Sequence, residues 1–173
     1  GAGLGLEAGQ RWIADDRTLT GLDAQRRWRG WLGVDGTLQW QRWAATVSMT
    51  AASHSSGFIE NGQMIYMGEP CGFIVRLEDD RRIYFAGDTD VFGDMRLIGE
   101  MYRPDIAFLP IGDRFTMGPE GAARATAMLG VKQVVPMHWG TFPVLTGTPA
   151  ALKKLLEPSG VHVLELQPGE TAE

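Results

Sequence analysis

The amino-acid sequence predicts a layered α/β (α+β) domain, and two patterns along the chain carry that prediction. Between residues 36 and 90, short apolar segments are separated by polar turns, as is typical of antiparallel strands. Beyond residue 90, apolar runs of strand length alternate with segments whose apolar residues recur at helical spacing. Strands followed by alternating strands and helices favour packed layers around one core, and 173 residues without an internal repeat fit one such domain.

The first 35 residues differ in composition from the rest. They hold much Gly and Arg, the tryptophans Trp12, Trp28 and Trp31, and no clean strand or helix period. We therefore expect an atypical, irregular N-terminal segment at residues 1–35 and the domain itself at residues 36–173. The chain begins with Gly rather than Met, which indicates processing or excision from a longer protein.

The first regular elements are strands. Residues 46–49 alternate polar and apolar side chains, as a half-buried strand does. The apolar runs 71–77 and 82–86 flank the polar residues 78–81, and this arrangement predicts a hairpin.

Helices and strands then alternate. Apolar residues at helical spacing from Met95 predict a helix that stops before Pro104. Residues 106–110 form a short apolar strand. Pro119 suits the first turn of a helix that ends at Gly130.

The last elements follow the same alternation. Residues 131–135 predict a strand. Thr148 and Pro149 predict the start of a helix that ends near Pro158, and residues 161–166 predict a final strand.

Composition and charge exclude several classes of partner. The net charge of -5 argues against nucleic acid, because phosphate binding favours a basic face. No apolar run approaches the ~20 residues that span a bilayer, and the first residues lack the basic region and apolar core of a signal peptide. One cysteine excludes an internal disulfide framework and fits a reducing compartment. We expect a cytoplasmic protein with no nucleic acid and no membrane as partner.

Three side chains that can bind metal stand where predicted strands end. His54 follows the strand around residues 46–53, Asp88 follows the second strand of the hairpin, and His138 follows the strand at 131–135. Ligands at the ends of adjacent strands converge on one edge of a sheet. Divalent ions such as zinc take imidazole nitrogen and carboxylate oxygen. The positions therefore indicate a metal site at that edge.

The loops around these residues allow two interpretations. Gly57, Gly87 and Gly140 permit tight turns next to the three side chains. Against a shared site, an isolated histidine often makes only local hydrogen bonds, and an aspartate before a threonine often caps a turn. The spacing of the three residues along the chain does not decide between a shared metal site and separate local roles.

The short sequence motifs around these residues favour the metal site. Six of them occur in one order: Ser53-His54-Ser55-Ser56-Gly57, Gly68-Glu69-Pro70, Ala86-Gly87-Asp88-Thr89, Leu109-Pro110-Ile111-Gly112-Asp113, Phe115-Thr116-Met117-Gly118-Pro119 and Pro136-Met137-His138-Trp139-Gly140-Thr141-Phe142-Pro143. Together they closely resemble the C-terminal part of the metallo-β-lactamase superfamily. Within that superfamily, the chain looks most like the small, poorly characterised metal-dependent hydrolases related to the ascorbate-phosphate lactonases. The resemblance runs from about residue 36 to about residue 156.

The resemblance implies a fold, a cofactor and roles for individual residues. The fold is the C-terminal part of an αββα sandwich with a one- or two-metal site at one edge. His54 would bind the first metal, Asp88 would be shared between the metals, and His138 would bind the second, with Asp88 and His138 as the catalytic residues. Asp113 and Thr116 would line the substrate pocket. The divalent metal would be zinc, with manganese as the alternative, and metal-bound hydroxide would attack an ester, lactone, amide or phosphoester of a small-molecule substrate.

One part of the family pattern is absent. The His-x-His-x-Asp-His motif, which supplies the family's other ligands, has no counterpart in residues 1–53, and no histidine precedes His54. We therefore expect a hydrolase fragment in which half of the metal ligands are missing. A completing segment or a homo-oligomer would be the partner that supplies them. The alternative is a non-catalytic remnant that acts as an interaction module.

Other chemistries fit the sequence less well. A serine next to His54 could act as a nucleophile with His138 and Asp88, but no Gly-x-Ser-x-Gly elbow is present. Cys71 could act as a thiol nucleophile, although a small buried residue is the simpler interpretation. His162 alternates within an apolar strand, and we expect it to face solvent.

Overall fold

The computed structural model describes residues 29–30, 34–40, 43–167 and 169–171. The strands within these residues are, in chain order, β1 (Arg29–Gly30), β2 (Val34–Trp40), β3 (Trp43–Ala51), β4 (Gly57–Glu60), β5 (Gln63–Tyr66), β6 (Cys71–Leu77), β7 (Arg82–Phe85), β8 (Ile106–Pro110), β9 (Gln133–Met137) and β10 (His162–Val163). The helices are α1 (Met95–Tyr102), α2 (Pro119–Leu129) and α3 (Pro149–Leu156), and one turn of 3-10 helix, Glu157–Ser159, follows α3.

Eight of these strands form one mixed sheet in the order β1-β2-β3-β6-β7-β8-β9-β10. The strands from β1 to β7 pair antiparallel, whereas β7, β8, β9 and β10 are parallel to one another. Strands β4 and β5 form a separate antiparallel hairpin. The predicted order of strands followed by alternating strands and helices is confirmed.

Local signals place the helices correctly. The Thr148 hydroxyl accepts a hydrogen bond from the Ala151 amide and caps α3. Pro119 begins α2, and Gly130 ends it with a φ of 69°. These positions match the predicted ends because capping chemistry is specific to the first and last turns.

The strand predictions are less accurate. Strand β9 begins at Gln133 rather than at residue 131, and β10 covers only His162–Val163. The hairpin β4–β5 is absent from the sequence-based prediction, because most of its side chains are exposed and give no alternation of apolar and polar residues. Its turn residues, Asn61 and Gly62, both have positive φ, and Asn-Gly is the strongest short hairpin signal.

Part of the predicted N-terminal segment can be compared with the structure. Of residues 1–35, the structure describes 29–30 and 34–35, and these are strand. Trp12, Trp28 and Trp31 lie outside the described residues. No helix among the described residues is long and apolar enough to cross a membrane.

The core lies between one face of the main sheet and the three helices. Strand residues such as Tyr84, Ala107 and Leu109 are fully buried and belong to the same cluster as Met95 of α1 and Leu152 of α3. The burial of these apolar side chains is the main source of the folding free energy.

Two hydroxyl groups are buried inside this core. Tyr84 Oη and Thr50 Oγ1 are both inaccessible to solvent, and neither has a hydrogen-bond partner of ordinary geometry in the part of the chain that the structure describes. Burial raises the pKa of Tyr84 to about 12, and the nearby Thr50 hydroxyl lowers it only in part. A buried phenol resists ionisation because the phenolate would lose its hydration.

We expect this tyrosine to make the fold sensitive to alkali. An unfolded tyrosine ionises near pH 10, whereas folded Tyr84 ionises near 12. Its contribution to stability is therefore complete below pH 10 and is lost as the pH rises to 12, a change of roughly 2–3 kcal/mol. Urea unfolding at pH 8, 10 and 11 should show this loss in the native chain and a smaller one in Tyr84→Phe. Equal losses in both proteins would contradict the prediction.

Candidate metal centre

The ends of the parallel strands bring distant residues to one edge of the sheet. Strands β7, β8 and β9 are adjacent and parallel, so their carboxyl ends lie at the same edge. Asp88 follows β7, the loop that starts at Ile111 follows β8, and His138 follows β9. Ligand sites of open α/β sheets form at such edges.

Asp88 and His138 come together there. His138 Nε2 lies 3.7 Å from Asp88 Oδ2, and the two side chains are 29% and 57% exposed. Two donors that bind one zinc ion at about 2.0–2.2 Å in tetrahedral geometry are about 3.3–3.6 Å apart. The observed separation is close to that range, so the pair fits as part of a divalent-metal site that remains open to solvent.

The backbone of His138 is fixed by its neighbours. Its φ is 54°, in the left-handed region, and the Ile111 amide donates to the carbonyl of the preceding Met137 at 3.0 Å. Gly112 lies so close that a Cβ there would overlap the His138 carbonyl oxygen and come within 3.2 Å of Nδ1. Nδ1 is buried without a hydrogen-bond partner among the described residues. Nε2 is therefore the ring nitrogen directed toward Asp88.

The segment around Asp88 is tied to the end of β3. Thr89 is fully buried, and its hydroxyl accepts a hydrogen bond from the Ser53 amide at 2.8 Å and donates to the Asp90 carbonyl. The Asp90 amide in turn donates to the Ser53 carbonyl at 2.8 Å. Gly87 has a φ of 68°, and a Cβ there would lie 2.6 Å from the Cys71 carbonyl oxygen. These contacts fix the backbone on both sides of Asp88.

His54 makes a local contact. Its Nδ1 lies 2.6 Å from the Ser55 carbonyl oxygen, a local contact that holds the ring in place. Within the described ranges, no three His, Cys, Asp or Glu side chains are arranged to hold a metal ion. Among the described residues, Asp88 and His138 thus lie together, and no third ligand completes a group with them. The residues present fit a metal as a partial ligand set.

The loop after β8 is strained and linked to the Asp88 segment. Asp113 and Arg114 have φ values of 66° and 65°, which are uncommon for residues with a Cβ. Asp113 Oδ1 accepts from the Arg114 amide at 2.8 Å, and its Oδ2 accepts from the Thr146 hydroxyl at 3.4 Å. The Met117 amide donates to the Thr89 carbonyl at 3.0 Å. The loop and the Asp88 segment therefore form one connected structure.

This loop borders a cavity of about 930 Å³. Asp113, Thr116 and the first turn of α2 line it together with Arg124 and Lys154. The two residues predicted for the substrate pocket thus share a cavity beside the Asp88 segment. Arg124 and Lys154 were not predicted, because nothing in the sequence shows which helix face turns toward this loop.

Several expectations about neighbouring residues can be compared with the structure. Gly87 and Gly140 have positive φ, but Gly57 lies inside β4 without one, so it does not form a tight loop beside His54. Cys71, the first residue of β6, is partly exposed rather than buried. His162 is exposed, as predicted.

The chain resembles proteins of one superfamily. The model of the β-lactamase superfamily domain matches residues 10–139, which include His54, Asp88 and His138. A UPF0173 metal-dependent hydrolase of Koribacter versatilis is 50% identical over 125 residues, which is 72% of this chain and 53% of the relative. A UPF0173 metal-dependent hydrolase of Rubrobacter xylanophilus is 53% identical over 129 residues, 72% of this chain and 52% of the relative.

Solved structures agree with the sequence relatives. Igni18, a metallo hydrolase from the archaeon Ignicoccus hospitalis, superposes with a TM-score of 0.64 at 39% identity, over 74% of this chain and 52% of its own. An isothiocyanate hydrolase from Delia radicum gut bacteria shares the fold, with a TM-score of 0.61 at 23% identity, over 79% of this chain and 56% of its own. The chain spans about half the length of the curated relatives it matches. It belongs to the metallo-β-lactamase superfamily, and its relatives there include metal-dependent hydrolases.

Proposed function

We propose that this chain supplies half of the active site of a metal-dependent hydrolase that acts on small molecules. The observation that carries the proposal is the approach of His138 Nε2 to Asp88 Oδ2, 3.7 Å apart at the carboxyl edge of the parallel strands. Both side chains are partly exposed, so an ion and a substrate can reach them. The comparisons give no support to the alternative of a non-catalytic interaction module.

The residues of the chain would divide the work as follows. Asp88 and His138 would hold a divalent ion, which supplies Lewis-acid chemistry by polarising the bond to be hydrolysed and acidifying water. Asp88 contributes negative charge, which lowers the cost of bringing a cation to this edge. Asp113 and Thr116 would contact the substrate from the cavity beside the loop. The class of bond, whether ester, lactone, amide or phosphoester, follows from the resemblance alone.

Asp88 and His138 do not complete a metal site, and the remaining ligands would come from other residues. Zinc sites in enzymes take three protein ligands and keep one position open, and two donors are too few. His54 would be a further ligand, as the resemblance implies. The other ligands would be supplied by a further segment, since no histidine precedes His54 in the sequence. Zinc is the proposed ion, with manganese as the alternative.

The test uses a completed protein, in which this chain is joined to the part of the Koribacter relative that it does not match. We expect one or two zinc ions per molecule by elemental analysis, consistent with the proposed site, and hydrolysis of a panel of ester, lactone and phosphoester substrates. Asp88→Ala and His138→Ala should lower kcat/KM at least a hundredfold and reduce the zinc content, and His54→Ala should reduce both as well.

His162→Ala is the matched control, because His162 is exposed on β10 and lies outside the proposed site. It should leave zinc content and hydrolysis unchanged. Full zinc content and full activity in the three site variants would refute the proposed site.

A further inference from the structure

Strands β3 and β7 end at the same edge of the main sheet but are not neighbours. Strand β6 lies between them and runs antiparallel to both, so its first residue, Cys71, stands at the edge where the two strands end. The hydrogen bonds of the sheet therefore cannot join the ends of β3 and β7 directly. A contact between the segments that follow these two strands has to pass across the start of β6.

The segment after β7 crosses the start of β6 at close range. Gly87 has a φ of 68°, and a Cβ there would lie 2.6 Å from the carbonyl oxygen of Cys71. A side chain at this position would be both strained and in collision with the backbone, so the crossing requires glycine. Asp88 follows Gly87 directly and therefore lies within the crossing segment.

Thr89 makes the bonds on the far side of this crossing. Its hydroxyl accepts a hydrogen bond from the Ser53 amide at 2.8 Å and donates one to the Asp90 carbonyl at 2.7 Å. The Asp90 amide donates to the Ser53 carbonyl at 2.8 Å, which closes the contact. Thr89 has no exposed area, so its hydroxyl bonds form away from water, where the loss of a partner is most unfavourable.

The carbonyl of Thr89 reaches a third segment. It accepts a hydrogen bond from the Met117 amide at 3.0 Å, in the loop that follows β8. Together with the three bonds between residue 53 and residues 89 and 90, this contact forms a set that we call the Thr89 junction. The junction joins the segments that follow β3, β7 and β8.

Each of the three segments carries one residue of the proposed site. These residues stand next in sequence to the residues that the junction joins: His54, Asp88 and Thr116. Because the peptide unit is planar, a hydrogen bond that fixes the backbone of one residue also fixes where the next Cα lies. The junction therefore sets the distances between the Cα atoms of these three residues.

We propose that Thr89 is a positioning residue, which holds His54, Asp88 and Thr116 at their relative positions before a metal binds. The inference rests on the proposed function for the roles of those three residues. Thr89 is fully buried, so it acts through its neighbours. An arrangement that exists before binding strengthens binding, because the ligands do not have to be ordered when the ion arrives.

The first measurement is amide hydrogen exchange of the 173-residue chain without metal. In Thr89→Val, which keeps the shape of threonine, exchange of the Ser53 and Asp90 amides should rise at least about tenfold, because Ser53 loses its acceptor. Thr89→Ser keeps the hydroxyl and should stay within about threefold of the native chain. Thr126→Val is the matched control, since Thr126 is also buried and its hydroxyl donates to the Ala122 carbonyl within α2.

The second measurement is the zinc affinity of the completed protein. Thr89→Val should weaken zinc binding about 10–100-fold, as is typical when a contact that orients metal ligands is lost. Thr89→Ser and Thr126→Val should bind zinc as the native protein does. All variants are compared under conditions in which each is fully folded, so that a loss of stability alone does not change the affinity.

Three results would overturn the proposal. The first is native exchange at Ser53 or native zinc affinity in Thr89→Val. The second is equal damage in Thr89→Ser, and the third is a rise in exchange that is as large throughout α2 as at the junction, which would indicate general unfolding. The proposed function can fail separately: if the completed native protein binds no zinc, that function is refuted, and the exchange measurement then decides whether Thr89 holds the three segments.

Discussion

Replacing Gly112 with alanine is expected to lower the free energy of unfolding by about 3 kcal/mol or more and to displace His138. A Cβ at this position would overlap the carbonyl oxygen of His138, and a backbone atom cannot rotate away as a side chain can. The loop after β8 and the turn at His138 would have to separate. Urea unfolding would measure the loss as a lower midpoint at an unchanged m-value.

Gly93→Ala is the matched control for this substitution. A Cβ at Gly93 would have no heavy atom within 4 Å, and its φ lies outside the left-handed region. Its midpoint should stay within about 0.5 kcal/mol of the native chain. If Gly112→Ala were equally mild, the close approach of the loop to His138 would not be a tight constraint, and the geometry inferred for the site would need revision.

Leu152→Ala is expected to lower the free energy of unfolding by about 2–5 kcal/mol. Leu152 is fully buried on α3 and belongs to the core cluster, so its truncation removes apolar contacts and leaves a cavity. Because domains of this size are stable by only about 5–15 kcal/mol, the variant should lose a large share of its stability and unfold at a lower temperature. Thermal and urea unfolding would both record the loss.

Leu155→Ala tests the same helix on its exposed side. Leu155 is 46% exposed, so the same truncation there should cost less than about 1 kcal/mol. Similar losses for the two leucines would mean that α3 does not pack on the sheet as described.

The helices could be predicted closely because their ends depend on local chemistry. Each helix end is set by residues within one turn of it. The structure places Thr148 at the start of α3, Pro119 at the start of α2 and Gly130 at its end. Strand ends depend on partners that are distant in sequence, and β9 and β10 accordingly differ from their predicted bounds. The β4–β5 hairpin shows a further limit, since a hairpin with little burial has little apolar pattern to detect.

The candidate site could be predicted only in part, because some of its contacts follow from strand order and others do not. The approach of Asp88 to His138 follows from strand order, because adjacent parallel strands end at the same edge. His54 Nδ1 instead lies 2.6 Å from the Ser55 carbonyl oxygen, a local contact that no spacing in the sequence reveals. The two-sided apolar character of β6 is visible in its residues, but only the strand pairing assigns each residue to a face.

The alternation along β6 also has an evolutionary consequence. Gly72 and Ile74 face the helices, whereas Phe73 and Val75 face away from them. Neighbouring residues of one strand should therefore tolerate substitution to different degrees, because only Ile74 is buried in the core. Substitutions should accumulate faster at Phe73, which is 40% exposed, than at Ile74, which is 2% exposed.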